Sequence, residues 1–138
     1  MNRYKSFFDL SNRVAVVTGA GGAMGSVIAV GLASFGADIV VATHRNRDRV
    51  SSTMEKIASF NRKAIEVSCD VTSQPDVDNA VKQTLDNFGR IDILVNVPGY
   101  SFHTDAVDVN ISDWEALMAV NLTGAFRCAQ AFGRCMID

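Results

Sequence analysis

Between Thr18 and Gly25 the chain reads Thr-Gly-Ala-Gly-Gly-Ala-Met-Gly, and the chemistry open to this stretch is that of the backbone. Glycine lets main-chain atoms approach a ligand closely, and the N–H groups and dipole at the start of a following helix attract negative charge. Thr18, Gly19, Gly21, Gly22, Ala23, Met24 and Gly25 are therefore candidates for holding a pyrophosphate. A strict G-x-G-x-x-G would need glycine at 24, where Met24 stands. Four further groups could do chemistry. Thr43, His44 and Arg45 offer a cation, Cys69-Asp70-Val71 a carboxylate, Asn96-Val97-Pro98-Gly99 an amide beside a rigid turn, and Asn121 a second amide inside an apolar stretch.

Short elements must position these groups. Val14 to Val17 read as a buried strand ahead of the glycine turn. After it, Met24, Val27, Ile28, Gly31, Leu32 and Phe35 fall on one helical stripe, which predicts a helix burying that face. Gly36 marks its stop, and Ala37 to Ala42 predict a second strand. A helix with Val50, Met54 and Ile57 facing inward follows, and Lys63 to Cys69 predict a third strand. Ser73-Gln-Pro-Asp76 has the form of a capping box, opening a helix with Val77, Val81, Leu85 and Phe88 that ends at Gly89. Ile91 to Asn96 predict a fourth strand. A loop over residues 97–111 leads to a second capping box, Ser112-Asp-Trp-Glu115, and a long last helix carrying Trp114, Met118, Asn121, Ala125 and Phe132 on one stripe. Residues 1–12, with Phe7, Phe8 and Leu10, predict a lead-in packed against the first strand.

Strands alternating with helices imply right-handed βαβ crossovers and a parallel sheet. The expected fold is α/β, a Rossmann-type doubly wound sheet of order 3-2-1-4, truncated before a fifth strand, in one partial dinucleotide-binding domain over residues 1–138. Ligands of such sheets bind outside the carboxyl ends of the strands. All the candidate groups on turns fall at that edge. A carboxylate ending the second strand would accept from the ribose 2′-hydroxyl of NAD, whereas Arg accommodates the 2′-phosphate of NADP. Thr43-His44-Arg45 has no carboxylate before Asp48, which favours NADP over NAD.

Composition narrows the classes. The chain has 138 residues, 48% hydrophobic and 20% charged, enough for one domain with a real core. A net charge of −2 leaves no basic footprint for nucleic acid. No run approaches the roughly 18 apolar residues of a membrane span. The N-terminus lacks the apolar core of a signal peptide. Cys69, Cys128 and Cys135, without C-x-x-C spacing, read as reduced core thiols of a cytoplasmic protein. No metal site is expected; His103 has no ligand-like neighbour in the sequence.

The motif set resembles the N-terminal part of the short-chain dehydrogenase/reductase family from about Phe8 to Met136. The residues that carry the resemblance are Thr18-Gly-x-x-x-Ala-x-Gly25, Asp70-Val71-Thr72, Gly89-Arg-Ile-Asp-Ile-Leu-Val-Asn96, and Trp114 followed by Asn121-Leu-Thr-Gly-Ala-Phe126. Ala23 stands where the family's middle glycine is expected, and Asn96-Val97-Pro98-Gly99 replaces Asn-Asn-Ala-Gly. The resemblance implies that Asp70 accepts from the adenine amino group and that Asn96 braces the sheet beside the nicotinamide. It also implies that Asn121 opens its helix slightly within a proton relay. The stretch from Phe8 to Gly36 is similar to the sugar-acid and 3-oxoacyl reductase branches.

The family's hydride chemistry uses a tyrosine with a lysine four residues on. Tyr4 and Tyr100, the only tyrosines, are followed at that spacing by Phe8 and Thr104. The expectation is therefore the cofactor-binding half of an NAD(P)-dependent alcohol/ketone oxidoreductase, with a small-molecule substrate if completed and with this chain alone inactive. In the family the last helix helps form the subunit interface, which implies a homo-oligomer here. The alternative is a catalytically inactive nucleotide-binding or interaction module associating through that helix.

Overall fold

Side chains alternate between the two faces of the central strands, and that alternation sorts the helices into two layers. The computed structural model describes residues 5–45 and 47–137, so Tyr4 and Asn46 lie outside the described residues. Strands β1 (Val14–Thr18), β2 (Asp38–Thr43), β3 (Ala64–Ser68) and β4 (Ile93–Asn96) form one parallel sheet of order β3-β2-β1-β4. Thr18 lies beside Ala42 and Asn96, and Thr43 beside Ser68. The carboxyl ends therefore line up as expected.

Val14 and Val16 of β1, with Val40 and Ala42 of β2, join a core completed by α3 (Gln74–Phe88) and by Cys128 and Phe132 of α5 (Ala125–Ile137). Ala15, Val17, Ile39 and Val41 face the other way, against α1 (Ala23–Ser34) and α2 (Val50–Ser59). Strands buried on both faces read as continuous apolar runs, which is why β1 and β2 are plain in the sequence.

α1 corrects the expected stripe. Its buried residues are Gly25, Ala29 and Ala33, while Met24 and Val27 are 69% and 72% exposed. The start of α1 lies so close to the turn that a Cβ on Gly25 would sit 2.3 Å from the Gly19 carbonyl oxygen. Only small residues can face a surface that near; the large apolar ones are pushed to the periphery. The lead-in docks on the far end of this helix: Leu10 N–H donates to the Phe35 carbonyl at 2.8 Å, and the Phe8 and Phe35 rings lie 6.3 Å apart.

α3 begins as expected. Ser73 is its N-cap, accepting from Asp76 N–H, with Pro75 in the first turn and Gly89 left-handed at the end. Asp76 does not close the reciprocal half of the box; its Oδ2 accepts from Asp70 N–H at 3.1 Å and ties α3 to the turn after β3.

The last helical rod corrects two expectations. It starts at Ile111 with Asn110 as N-cap, so Ser112 lies inside the helix and caps nothing. α4 (Ile111–Met118) runs through a π segment, Ala119–Gly124, into α5. A π turn inserts a residue and rotates everything beyond it. The buried positions are consequently Gly124, Cys128 and Phe132, and Trp114, Asn121 and Ala125 leave the expected stripe. Cys69 and Cys128 are buried and free; Cys135 is half-buried.

Candidate functional site: a cleft at the carboxyl edge of the sheet

Each strand of the sheet delivers one wall of a cleft of about 750 Å³. β1 supplies Gly19, β2 supplies Thr43 with His44 and Arg45, β3 supplies Cys69 to Thr72, and β4 supplies Pro98 to Tyr100. Ala116, Ala119 and Val120 of the last rod close the remaining side. Small apolar residues at i, i+3 and i+4 are the signal by which this helical wall could have been found in the sequence.

The glycine turn is shaped by contact. Gly19 has φ +69°, and a Cβ there would stand 3.2 Å from the Pro98 ring. Gly22 is the N-cap of α1; its N–H returns to the Gly19 carbonyl at 3.0 Å, and the first helical bond runs from Ser26 N–H to Gly22. The N–H groups of Ala23, Met24 and Gly25 precede that first bond, the usual condition of a helix start. Gly21 is buried under the turn, whereas Ala23 is exposed, so its methyl replaces a hydrogen at the rim and not in the tight part of the bend.

Thr18 and Asn96 brace the site from below. Thr18 Oγ1 lies 3.2 Å from the Val95 carbonyl and 3.1 Å from Asn96 Oδ1, sharing one proton between two acceptors. Asn96 Nδ2 donates to the Ala125 carbonyl at 3.2 Å, just past the π segment. Val97 packs into the core on the α1/α2 side. Neither Thr18, Asn96 nor Val97 lines the cleft; they hold the elements that do.

Asp70 is the best-anchored charge. Its Oδ1 accepts from Thr72 N–H at 2.9 Å and Thr72 Oγ1 at 2.7 Å, and His44 Nε2 lies 3.4 Å from its Oδ2. The Thr72 hydroxyl bond, then the Thr72 amide and the nearby His44 and Arg45, outweigh partial burial and hold its pKa below the usual carboxylate value. His44, one of the candidate cations, is thus brought to an ion-pair distance. Arg47 is engaged elsewhere, with Glu66 at 3.6 Å. The Cys69 thiol is hydrogen-bonded to Cys128 and buried beside two carboxylates, which keeps it protonated well above the ordinary thiol range.

Asn121 sits inside the π segment and pins the loop after β4. It donates from Nδ2 to the Tyr100 carbonyl at 2.8 Å and accepts the Tyr100 N–H on Oδ1 at 3.0 Å. Gly99 must be small beneath this clamp, because a Cβ there would lie 3.3 Å from Asn121 Oδ1. The rod also closes on the Asp70 turn. Arg127 donates to the Val71 carbonyl at 2.6 Å, and a Cβ on Gly124 would stand 2.8 Å from Val71 Cγ2. Sequence reasoning missed Tyr100, Thr72 and Gly124 as parts of the site, since nothing in their spacing reveals a contact across the cleft.

The sequence and the fold are similar to those of known proteins. The short chain dehydrogenase family matches residues 13–138, and the chain belongs to that family. It is 35% identical over 128 residues to a 3-oxoacyl-[acyl-carrier-protein] reductase of Synechocystis sp., covering 93% of this chain and 52% of that protein. It is 34% identical over 129 residues to the (2S)-[(R)-hydroxy(phenyl)methyl]succinyl-CoA dehydrogenase subunit BbsD of Thauera aromatica, covering 94% and 52%. A short-chain type dehydrogenase/reductase from Mycobacterium marinum superposes with a TM-score of 0.90 at 33% identity, over 96% of this chain and 53% of that one. The chain thus spans about half the length of the curated relatives it matches. No described helix is long and apolar enough to cross a membrane.

Proposed function

We propose that this chain is the cofactor-binding half of an NAD(P)-dependent oxidoreductase that interconverts an alcohol and a ketone, with NADP the favoured dinucleotide. The observation that carries this reading is the meeting of three recognition groups in one cleft: Gly19, which opens the glycine turn and is the one residue of Gly19–Gly25 that lines it, the cations His44 and Arg45, and the anchored carboxylate of Asp70. A dinucleotide fits that order. The pyrophosphate would lie on the N–H groups of Ala23 to Gly25, at a helix start held against the backbone of Gly19 and Ala20 by the missing side chain of Gly25. The 2′-phosphate would meet His44 and Arg45, the adenine amino group would donate to Asp70, and the nicotinamide side would border Pro98 and Gly99, with Asn96 bracing them from below. A bound nicotinamide supplies hydride; these residues bind and orient it.

No tyrosine in these 138 residues has a lysine four positions on. The chain by itself is therefore expected to bind dinucleotide and to reduce no ketone. The test is a thermal melt with and without NADPH and NADH. A ligand that binds only the folded state adds about 2.7 kcal/mol at a hundredfold excess over its Kd, so the midpoint rises, more with NADPH than NADH. A clean transition unmoved by either dinucleotide would overturn the cradle assignment.

A second reading has its own observation. Ile111, Trp114, Leu122 and Phe126 are large, apolar and exposed along the last rod. A module that associates through this face, with or without nucleotide, would bury them.

A further inference from the structure

We propose that Cys69 and Cys128 form an oxidisable thiol pair, which hydrogen peroxide entering the cleft converts to a disulfide that staples the Asp70 turn to α5. The pair stands on the packing of the last rod, whatever ligand the cleft takes. Only its protection by ligand, below, rests on the dinucleotide reading.

The packing of the rod brings the two sulfurs together. Cys69 N–H donates to the Thr43 carbonyl at 3.0 Å, so its backbone continues the pairing of β3 with β2 and is fixed. Two residues on, Val71 lies hard against the rod. Arg127 donates to its carbonyl at 2.6 Å, and a Cβ on Gly124 would stand 2.8 Å from its Cγ2. Cys128 is four residues past Gly124 and therefore on the same helical face. It shares one core cluster with Cys69 and Val71, and the Cys69 S–H donates to its sulfur. Cys135 takes no part; its thiol donates to the Ala131 carbonyl at 3.8 Å.

The two thiols differ in access, and that divides the chemistry between them. Cys69 lines the cleft, whereas Cys128 is fully enclosed. A thiol held in its protonated form is by itself a poor nucleophile. The Cys69 hydrogen bond, however, points at a sulfur able to take the proton. That bond, and then the nearby Arg127 guanidinium, lower the Cys128 pKa against the effect of burial. As the Cys69 sulfur attacks one peroxide oxygen, an S–O bond forms, the O–O bond breaks and the Cys69 proton passes to the Cys128 thiolate. The departing hydroxide takes that proton back and leaves as water. The Cys128 thiolate then attacks the Cys69 sulfenic acid, forming the S–S bond and releasing hydroxide. One thiol, one thiolate and one peroxide give one disulfide, one water and one hydroxide, with two electrons passing from sulfur to oxygen. The resolving sulfur is already in contact, so the sulfenic acid does not persist.

The test treats the full 138-residue chain, carrying Cys135→Ser, with hydrogen peroxide and follows intact mass and unreduced peptide maps. A mass lower by two hydrogens, a linked Cys69–Cys128 peptide and full reversal by dithiothreitol are expected. Cys128→Ala should slow oxidation of Cys69 on the order of tenfold and leave a sulfenic acid that dimedone traps. Cys69→Ala should leave Cys128 unoxidised. Two oxygens added to Cys69 in place of the linked peptide would overturn the pair, as would wild-type oxidation of Cys128 in Cys69→Ala. The peptide map needs neither alanine variant, so it decides even where these fail to fold. NADP, with its binding followed by the melting midpoint, should slow disulfide formation in proportion to the sites filled. Unslowed oxidation with NADP bound would overturn entry through the cleft. A linked peptide in a chain that binds no NADP would instead overturn the dinucleotide reading and leave the pair standing.

Discussion

Asn121 is one amide doing two jobs, and both depend on where the π segment turns it. An asparagine within a helix ordinarily competes for backbone groups of its own turn. Here its Nδ2 and Oδ1 are both spent on Tyr100, on the far side of a loop. Asn121→Ala removes two exposed hydrogen bonds and gains a little helix propensity, so the net loss of stability should be about 1 kcal/mol. A more specific sign is faster hydrogen exchange of the Tyr100 amide with the rest of the sheet unchanged; an unaffected Tyr100 amide would mean that the loop holds itself. The family resemblance had marked Asn121 for a proton relay. The structure adds its clamp on the loop, which no spacing rule contains.

Among the elements, β1 and β4 are held at their entry ends by a single carboxylate. Asp92, only 9% exposed, accepts from Val14 N–H, from Arg13 and from Arg90. Burial alone would raise its pKa; the bonds from Arg90, the Val14 amide and Arg13 outweigh it and leave a value of about 2. The folded-state value is depressed, so its contribution is complete above the ordinary carboxylate pKa near 3.8 and is lost as pH falls toward 2. Asp92→Asn should cost about 1–2 kcal/mol at pH 7. It should also flatten the loss of stability between pH 4 and 2 in acid-titrated melts; an unchanged acid limb would refute the assignment. Element types were legible from runs and caps, as at Ser73 and Gly89. Faces were not: α1 buries Gly25, Ala29 and Ala33 because it lies close on the glycine turn, and the rod after Gly124 is rotated by an inserted residue.

At the scale of the whole molecule, the β4 side of the sheet and the last rod leave surface open among the described residues. β4 is an edge strand, and the rod exposes Ile111, Trp114, Leu122 and Phe126, the last two 58% and 64% accessible. Open edges and contiguous apolar patches favour association. The 138-residue chain is expected to sediment as a dimer or larger at micromolar concentration, and Phe126→Glu should shift it toward monomer with its melting cooperativity intact. A monomeric wild type at that concentration would sink the association reading and leave dinucleotide binding untouched.

The sequence by itself determined the α/β class, the strand order and the edge on which the cleft opens, because these follow from local runs, short turns and the handedness of βαβ crossovers, and its motif set determined the family. Tertiary structure alone decided which side chains meet there. His44 finds Asp70 on the turn after the neighbouring strand, Asn121 finds Tyr100 across the loop, and Gly124 finds Val71 beneath the rod. Such contacts depend on ångström-scale approach between elements far apart in the chain. Residue spacing along one element carries no record of that distance.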